Sequence, residues 1–134
     1  MKRIFWLALA FAPWAWAGEV QVVLNGCEAG QSVRVGLYLP AANFPKGKAD
    51  YEQVTQASGA TATVLFADVP AGRYAVAAYL DSNGNQQLDR HWYGPPSERY
   101  GFSNNARNAF SAPSFEQAAF DVGASRVVQT IQLQ

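Results

Sequence analysis

One cysteine and one histidine are all the thiol and imidazole this 134-residue chain has to offer. A lone Cys27 cannot close a disulfide within its own chain, and it has none of the cysteine spacing that holds a metal. It could still bridge two chains. His91, beside Trp92 and Tyr93, could act as a general base, but no serine or cysteine has the neighbours that activate a nucleophile. A single imidazole with scattered carboxylates is a poor warrant for catalysis, and we expect a protein that is not an enzyme. A basic cluster is missing too: ten Lys and Arg stand against ten Asp and Glu, which argues against a nucleic-acid surface. Repeats, low-complexity tracts and linkers are absent, so one domain is expected.

Long apolar runs are confined to the start. Lys2 and Arg3 precede the run Ile4–Trp16, and Ala15-Trp16-Ala17 places small residues at the two positions a signal peptidase reads. The run is shorter than the roughly 20 apolar residues that span a bilayer. We expect residues 1–17 to be a signal peptide and residues 18–134 to be the domain, periplasmic or secreted, without membrane insertion after cleavage. The competing reading is a buried N-terminal helix, against which stand Pro13 and the lack of a cap. Leu24-Asn25-Gly26-Cys27 loosely matches the end of a lipoprotein signal, but lipidation there would put Glu19 and Gln21 inside the apolar segment. Loss of Lys2 and Arg3 leaves the mature chain slightly acidic.

What is present is period-two alternation. Val20, Val22 and Leu24 share one face, opposite Glu19, Gln21 and Val23. Val33, Val35, Leu37 and Leu39 repeat the pattern, opposite Ser32, Arg34 and Tyr38. Ala62, Val64 and Phe66 follow, then Tyr74, Val76, Ala78 and Leu80, then Ala118, Phe120 and Val122, then Val127, Ile131 and Leu133. Such runs suit half-buried strands and not helices. Tyr51–Ala57 reads as a further strand, with a helical turn over Asp50–Gln56 as the alternative. Turn signals lie at Asn25-Gly26 to Gly30, Ser58-Gly59, Pro70-Ala71-Gly72 and Gly123-Ala124-Ser125, with Gly59 and Gly72 free to take angles other residues resist. The expected fold is all-β: one antiparallel β-sandwich, immunoglobulin-like or prealbumin-like, of six or seven strands. Barrel closure is the alternative.

The rhythm breaks from Asp81 to about Ser114, longer than structureless loops usually run. One long ordered loop is expected there, packed down by Trp92, Tyr93, Tyr100, Phe102, Phe110 and Phe115. Asp81, Asn83, Asn85, the carbonyl of Gln87 and Asp89 are oxygen donors at alternating positions, the pattern that wraps a calcium ion. Gln86 stands where a calcium loop favours glycine, and Trp92 where it favours a bidentate glutamate. Weak affinity is therefore expected, with Glu98, Glu116 or Asp121 available to complete the shell. The competing reading is a connection held by Asx turns. Trp92, Tyr93, Tyr100 and Phe102 form either a platform for a sugar or peptide or the loop's own small core. Asn104 and Asn105 can hold a turn or contact a ligand, and Arg107 can pair with Glu98 or Asp89 or bind an external carboxylate.

Four motifs in order, Val69-Pro70-Ala71-Gly72-Arg73-Tyr74-Ala75-Val76, Asp81-Ser82-Asn83-Gly84-Asn85 with Leu88-Asp89, Tyr100-Gly101-Phe102-Ser103-Asn104-Asn105-Ala106, and Pro113-Ser114-Phe115-Glu116 with Ala118-Ala119-Phe120, resemble an exported bacterial family, domain-of-unknown-function family 2141. The resemblance implies export and a single small domain, without a substrate. The Pro70–Tyr74 turn is similar to transthyretin-like and carboxypeptidase-regulatory sandwiches. Gln86 and Gln87 depart from the glycine and lysine of the family pattern. The chain thus reads as an exported, non-catalytic binding or accessory module. Its partner would be an extracytoplasmic protein or a carbohydrate, and calcium a possible cofactor.

Overall fold

A computed structural model of the chain describes residues 17–40, 44–81, 98–108 and 111–134. The strands are β1 (Gly18–Asn25), β2 (Ser32–Tyr38), β3 (Tyr51–Gln56), β4 (Thr61–Val69), β5 (Gly72–Asp81), β6 (Tyr100–Phe102), β7 (Phe120–Val122) and β8 (Arg126–Gln132). A 3-10 turn (Ser103–Asn105) follows β6, and α1 (Phe115–Ala118) precedes β7. They form two sheets: β4-β1-β8, and β3-β2-β5-β6 with β7 paired to β5. This is an open β-sandwich and not a closed barrel.

The alternation built the core as expected. Val20, Val22 and Leu24 of β1 face Val33, Val35 and Leu37 of β2 across the interior, all with no solvent exposure. Val64 and Phe66 from β4, Tyr74 and Val76 from β5, and Ile131 and Leu133 at the C-terminal end complete the cluster. Each such side chain contributes roughly 1.5–3 kcal/mol by leaving water. Tyr51–Gln56 is a strand and not a helical turn.

One pair departs from the antiparallel expectation. β1 and β8 run parallel, from Glu19 opposite Arg126 to Asn25 opposite Gln132. The turn before β8 explains the direction. A Cβ on Gly18 would lie 2.3 Å from the Gly123 carbonyl oxygen and 2.7 Å from that of Ser125. The chain therefore enters β8 beside the start of β1, and Arg126 donates to Glu19 at 2.9 Å. Among the described residues the left-handed glycines are Gly26 (φ 86°) and Gly30 (φ 84°); Gly59 and Gly72, free to take such angles, do not.

Ala118 belongs to α1 and not to a strand. A Ser114-x-x-Gln117 capping box starts this helix: the Ser114 hydroxyl accepts from the Gln117 amide at 3.2 Å, and the Gln117 side chain accepts from the Ser114 amide at 2.9 Å. The strand β6 lies inside the interval that lacks periodicity, because three residues are too few to display any. No helix among the described residues is long and apolar enough to cross a membrane.

Candidate functional site

The outer face of the five-stranded sheet carries a second apolar cluster. Ala75, Phe102 and Ala118 are buried there, with Phe44, Tyr100, Ala106 and Phe115 packed against them. Phe44 is the hub: its ring meets Tyr38, Phe102 and Phe115 edge-on at 5.1, 5.8 and 6.1 Å between centroids. Tyr38 lies on the outward side of β2, as its parity requires, yet it is 7% exposed because this cluster covers it. Burial pushes its phenol above the ordinary tyrosine range, with Glu52 and Asp50 adding to the effect.

Segment 101–107 clasps the two sheets together. Gly101 needs no side chain to let β8 approach: a Cβ there would lie 2.6 Å from Cγ2 of Ile131. The main chains of Tyr100 and Gln134 exchange two hydrogen bonds, each 3.0 Å. Asn104 and Asn105 take left-handed angles (φ 59° and 50°), which asparagine tolerates better than most residues. The Asn104 side chain donates to the carbonyls of Ala119 (2.9 Å) and Gln117 (3.3 Å), and it accepts from Gln129 Nε2 (3.2 Å). Asn105 Oδ1 accepts from the Gln132 amide at 2.9 Å. Both asparagines therefore hold the fold together, the structural alternative of the sequence reading.

Ser103, which sequence reasoning did not single out, is the buried centre of this clasp. β7 pairs with the start of β5 and β6 with its later part. Between the two, the Val76 amide donates to Ser103 Oγ at 2.9 Å, and that hydroxyl donates to the Ala118 carbonyl at 2.5 Å. One hydroxyl thus serves both a sheet donor and a helix-end acceptor. No sequence signal marks a serine for this work.

Of the predicted aromatic platform, Phe102 is buried at 6% exposure and packs on Tyr100 at 5.6 Å. Tyr100 is half-buried, and the Arg107 guanidinium stacks over its ring at 4.3 Å while donating to its carbonyl at 2.6 Å. A shallow polar pocket of about 60 Å³ adjoins this pair, lined by Gly101, Asn105, Arg107 and Gln134 among others. Trp92, Tyr93 and His91 lie outside the described residues.

Of the predicted calcium ligands, Asn83, Asn85, Gln87 and Asp89 also lie outside the described residues, and Asp81 lies within them. Asp81 ends β5 and is 3% exposed; Glu98 is 7% exposed. The β5–β6 register runs Ala77 with Phe102, Ala78 with Gly101 and Tyr79 with Tyr100. A 2.9 Å bond from the Leu80 amide to the Arg99 carbonyl extends it, so the next pair in sequence is Asp81 with Glu98. Burial raises the Tyr79 phenol, Arg34 opposes the rise, and Asp81, Glu52 and Glu98 add to it. Two buried carboxylates therefore flank the oxygen-rich segment on the side of the sheet that carries Tyr79 and Arg34. Among the described residues, no three or more His, Cys, Asp or Glu side chains are grouped to hold a metal ion. The other carboxylates suggested for the shell, Glu116 and Asp121, are both engaged by Arg73, at 3.1 and 3.2 Å.

No curated protein and no solved structure matches this chain. A family model does, over residues 22–130, which include β2 to β7 and the segment that Asp81 and Glu98 flank. The chain belongs to the family of uncharacterized proteins conserved in bacteria, domain-of-unknown-function family 2141.

Proposed function

We propose that this protein is an exported, non-catalytic binding or accessory module whose segment from Asp81 is organised by a weakly bound calcium ion. The burial of Asp81 and Glu98 at the two ends of that segment carries the reading. The β5–β6 register sets these two carboxylates opposite one another at the ends of the segment, and carboxylate oxygens are the donors a hard cation takes. Asn83, Asn85, the Gln87 carbonyl and Asp89 would supply the remaining oxygens. The ion would supply charge neutralisation and a fixed loop shape.

Export rests on the leader over residues 1–17. The first described strand begins at Gly18, directly after the expected cleavage site. We place the mature chain in the periplasm or outside the cell, and we read its sandwich as transthyretin-like.

The test is a melting curve of the purified protein with chelator and with calcium. At about ten times the dissociation constant, calcium should stabilise the fold by about 1.4 kcal/mol, and Asp81→Ala with Asp89→Ala should abolish the shift. An unchanged melting temperature on chelation refutes the calcium site.

A further inference from the structure

We propose that the outer edge of β3 is a self-pairing surface through which two copies of this chain join their five-stranded sheets, antiparallel and centred on Val54. β3 is the terminal strand of its sheet, and no other described strand lies beyond it. Edge strands are normally blunted by proline, lysine or a bulge. The segment YEQVTQ contains neither residue, and its register with β2 is unbroken from Tyr51 to Gln56. At its middle Val54 is 49% exposed.

The hydrogen-bond parity shows what the edge offers. The Ala57 amide donates to the Gln31 carbonyl at 2.9 Å, extending the β2–β3 ladder by one pair. Bonded and non-bonded pairs alternate in an antiparallel ladder. Tyr51, Gln53 and Thr55 therefore direct their main-chain groups to β2, and Glu52, Val54 and Gln56 direct theirs outward. The flank toward the other sheet is already closed, because the Gln53 side chain donates to the Leu65 carbonyl at 2.7 Å. Among the described residues, no strand pairs with the outward groups that remain.

A second copy of the same edge matches it under a two-fold axis through Val54. Val54 then meets Val54 of the second copy, and Glu52 meets Gln56 in both directions. Every outward N–H lies opposite an outward C=O, and each of these pairs exchanges both of its bonds. Charge selects the same register. Glu52, which Arg34 approaches at 3.7 Å, is the one acidic side chain of the strand, and here it faces the neutral Gln56 amide, which keeps a second N–H beside the one it donates to the Gly30 carbonyl at 3.1 Å. A register centred on Glu52 would oppose two carboxylates, and one centred on Gln53 would leave the outward groups of Gln56 without strand partners. The shared axis also covers the exposed Val54 side chains with each other.

Sedimentation equilibrium of the purified chain tests this directly. The wild type should dimerise reversibly. Val54→Lys, which puts two ammonium groups on the axis, should weaken the dimer about tenfold or more. Val54→Pro removes only an outward N–H, a position where edge strands tolerate proline, and should weaken it while leaving the circular dichroism unchanged. In a Cys27→Ala background, Val54→Cys should form a disulfide-linked dimer on mild oxidation, since paired Cα atoms would lie about 5.5 Å apart. Glu52→Cys, which faces position 56, should cross-link far more slowly. A wild type that stays monomeric up to about 1 mM, or a dimer indifferent to Val54→Lys, overturns the proposal.

Discussion

Replacing Ser103 with alanine should cost far more than its size suggests. The hydroxyl has no solvent exposure, and its removal strands two main-chain groups at once: the Val76 N–H, held at 2.9 Å, and the Ala118 C=O, held at 2.5 Å. A buried polar group left without its partner costs about 1–3 kcal/mol. The space vacated by one oxygen is smaller than the roughly 30 Å³ share of a water molecule, so solvent cannot easily take its place. The two losses together come to about 2–6 kcal/mol, a large part of a domain's usual 5–15 kcal/mol. Urea unfolding followed by fluorescence, extrapolated to water, reads this directly. The slope should be unchanged if the same surface is exposed on unfolding. Ser114→Ala, at the exposed cap of α1, provides the comparison and should cost only about 1 kcal/mol. A Ser103→Ala variant that loses less than about 0.5 kcal/mol, the range of ordinary surface changes, would refute this account of the clasp.

Gly101→Ala should destabilise the fold by about 1–3 kcal/mol, because the new Cβ meets Ile131 Cγ2 at 2.6 Å and the Gln132 carbonyl at 3.0 Å; an unchanged thermal midpoint would show that β8 yields freely. Burial raises the thiol of Cys27 and the phenols of Tyr38, Tyr74 and Tyr79. Raised acids stay protonated in the fold while the unfolded chain releases its protons first. Stability should therefore hold below about pH 8.5 and fall above it, more steeply beyond about pH 10 as the phenols join. A urea midpoint that rises over that range would contradict the assignment. Tyr74→Phe removes the 2.7 Å bond to the Pro70 carbonyl and should lose about 1 kcal/mol, with a shallower alkaline decline in the same titration.

The interior was legible because a strand half-buried against one core must alternate, and Val20, Val22 and Leu24 on β1 do so without exception. The second cluster was legible only in part: Tyr100, Phe102 and Phe115 were expected to pack that segment down, and they do. Tyr38 occupies an outward position, which alternation assigns to solvent, and it is buried only because Phe44 folds over that face. The capping box at Ser114 and Gln117 was readable in principle, yet a four-residue helix gives no periodicity to draw attention to it. The stacking of Arg107 over Tyr100 had no sequence signal either, since it depends on the chain reversal through Asn104 and Asn105.

Sequence alone determined which strand residues line the interior between the sheets, because side-chain hydrophobicity and a two-residue repeat are local properties. Only tertiary structure decided which strands adjoin, that β8 runs parallel to β1, and that Ser103 sits where two sheet segments and a helix end converge. Those outcomes depend on main-chain groups finding partners far along the chain, and every residue but proline carries the same donor and acceptor. No local pattern distinguishes one such pairing from another until the chain has closed on itself.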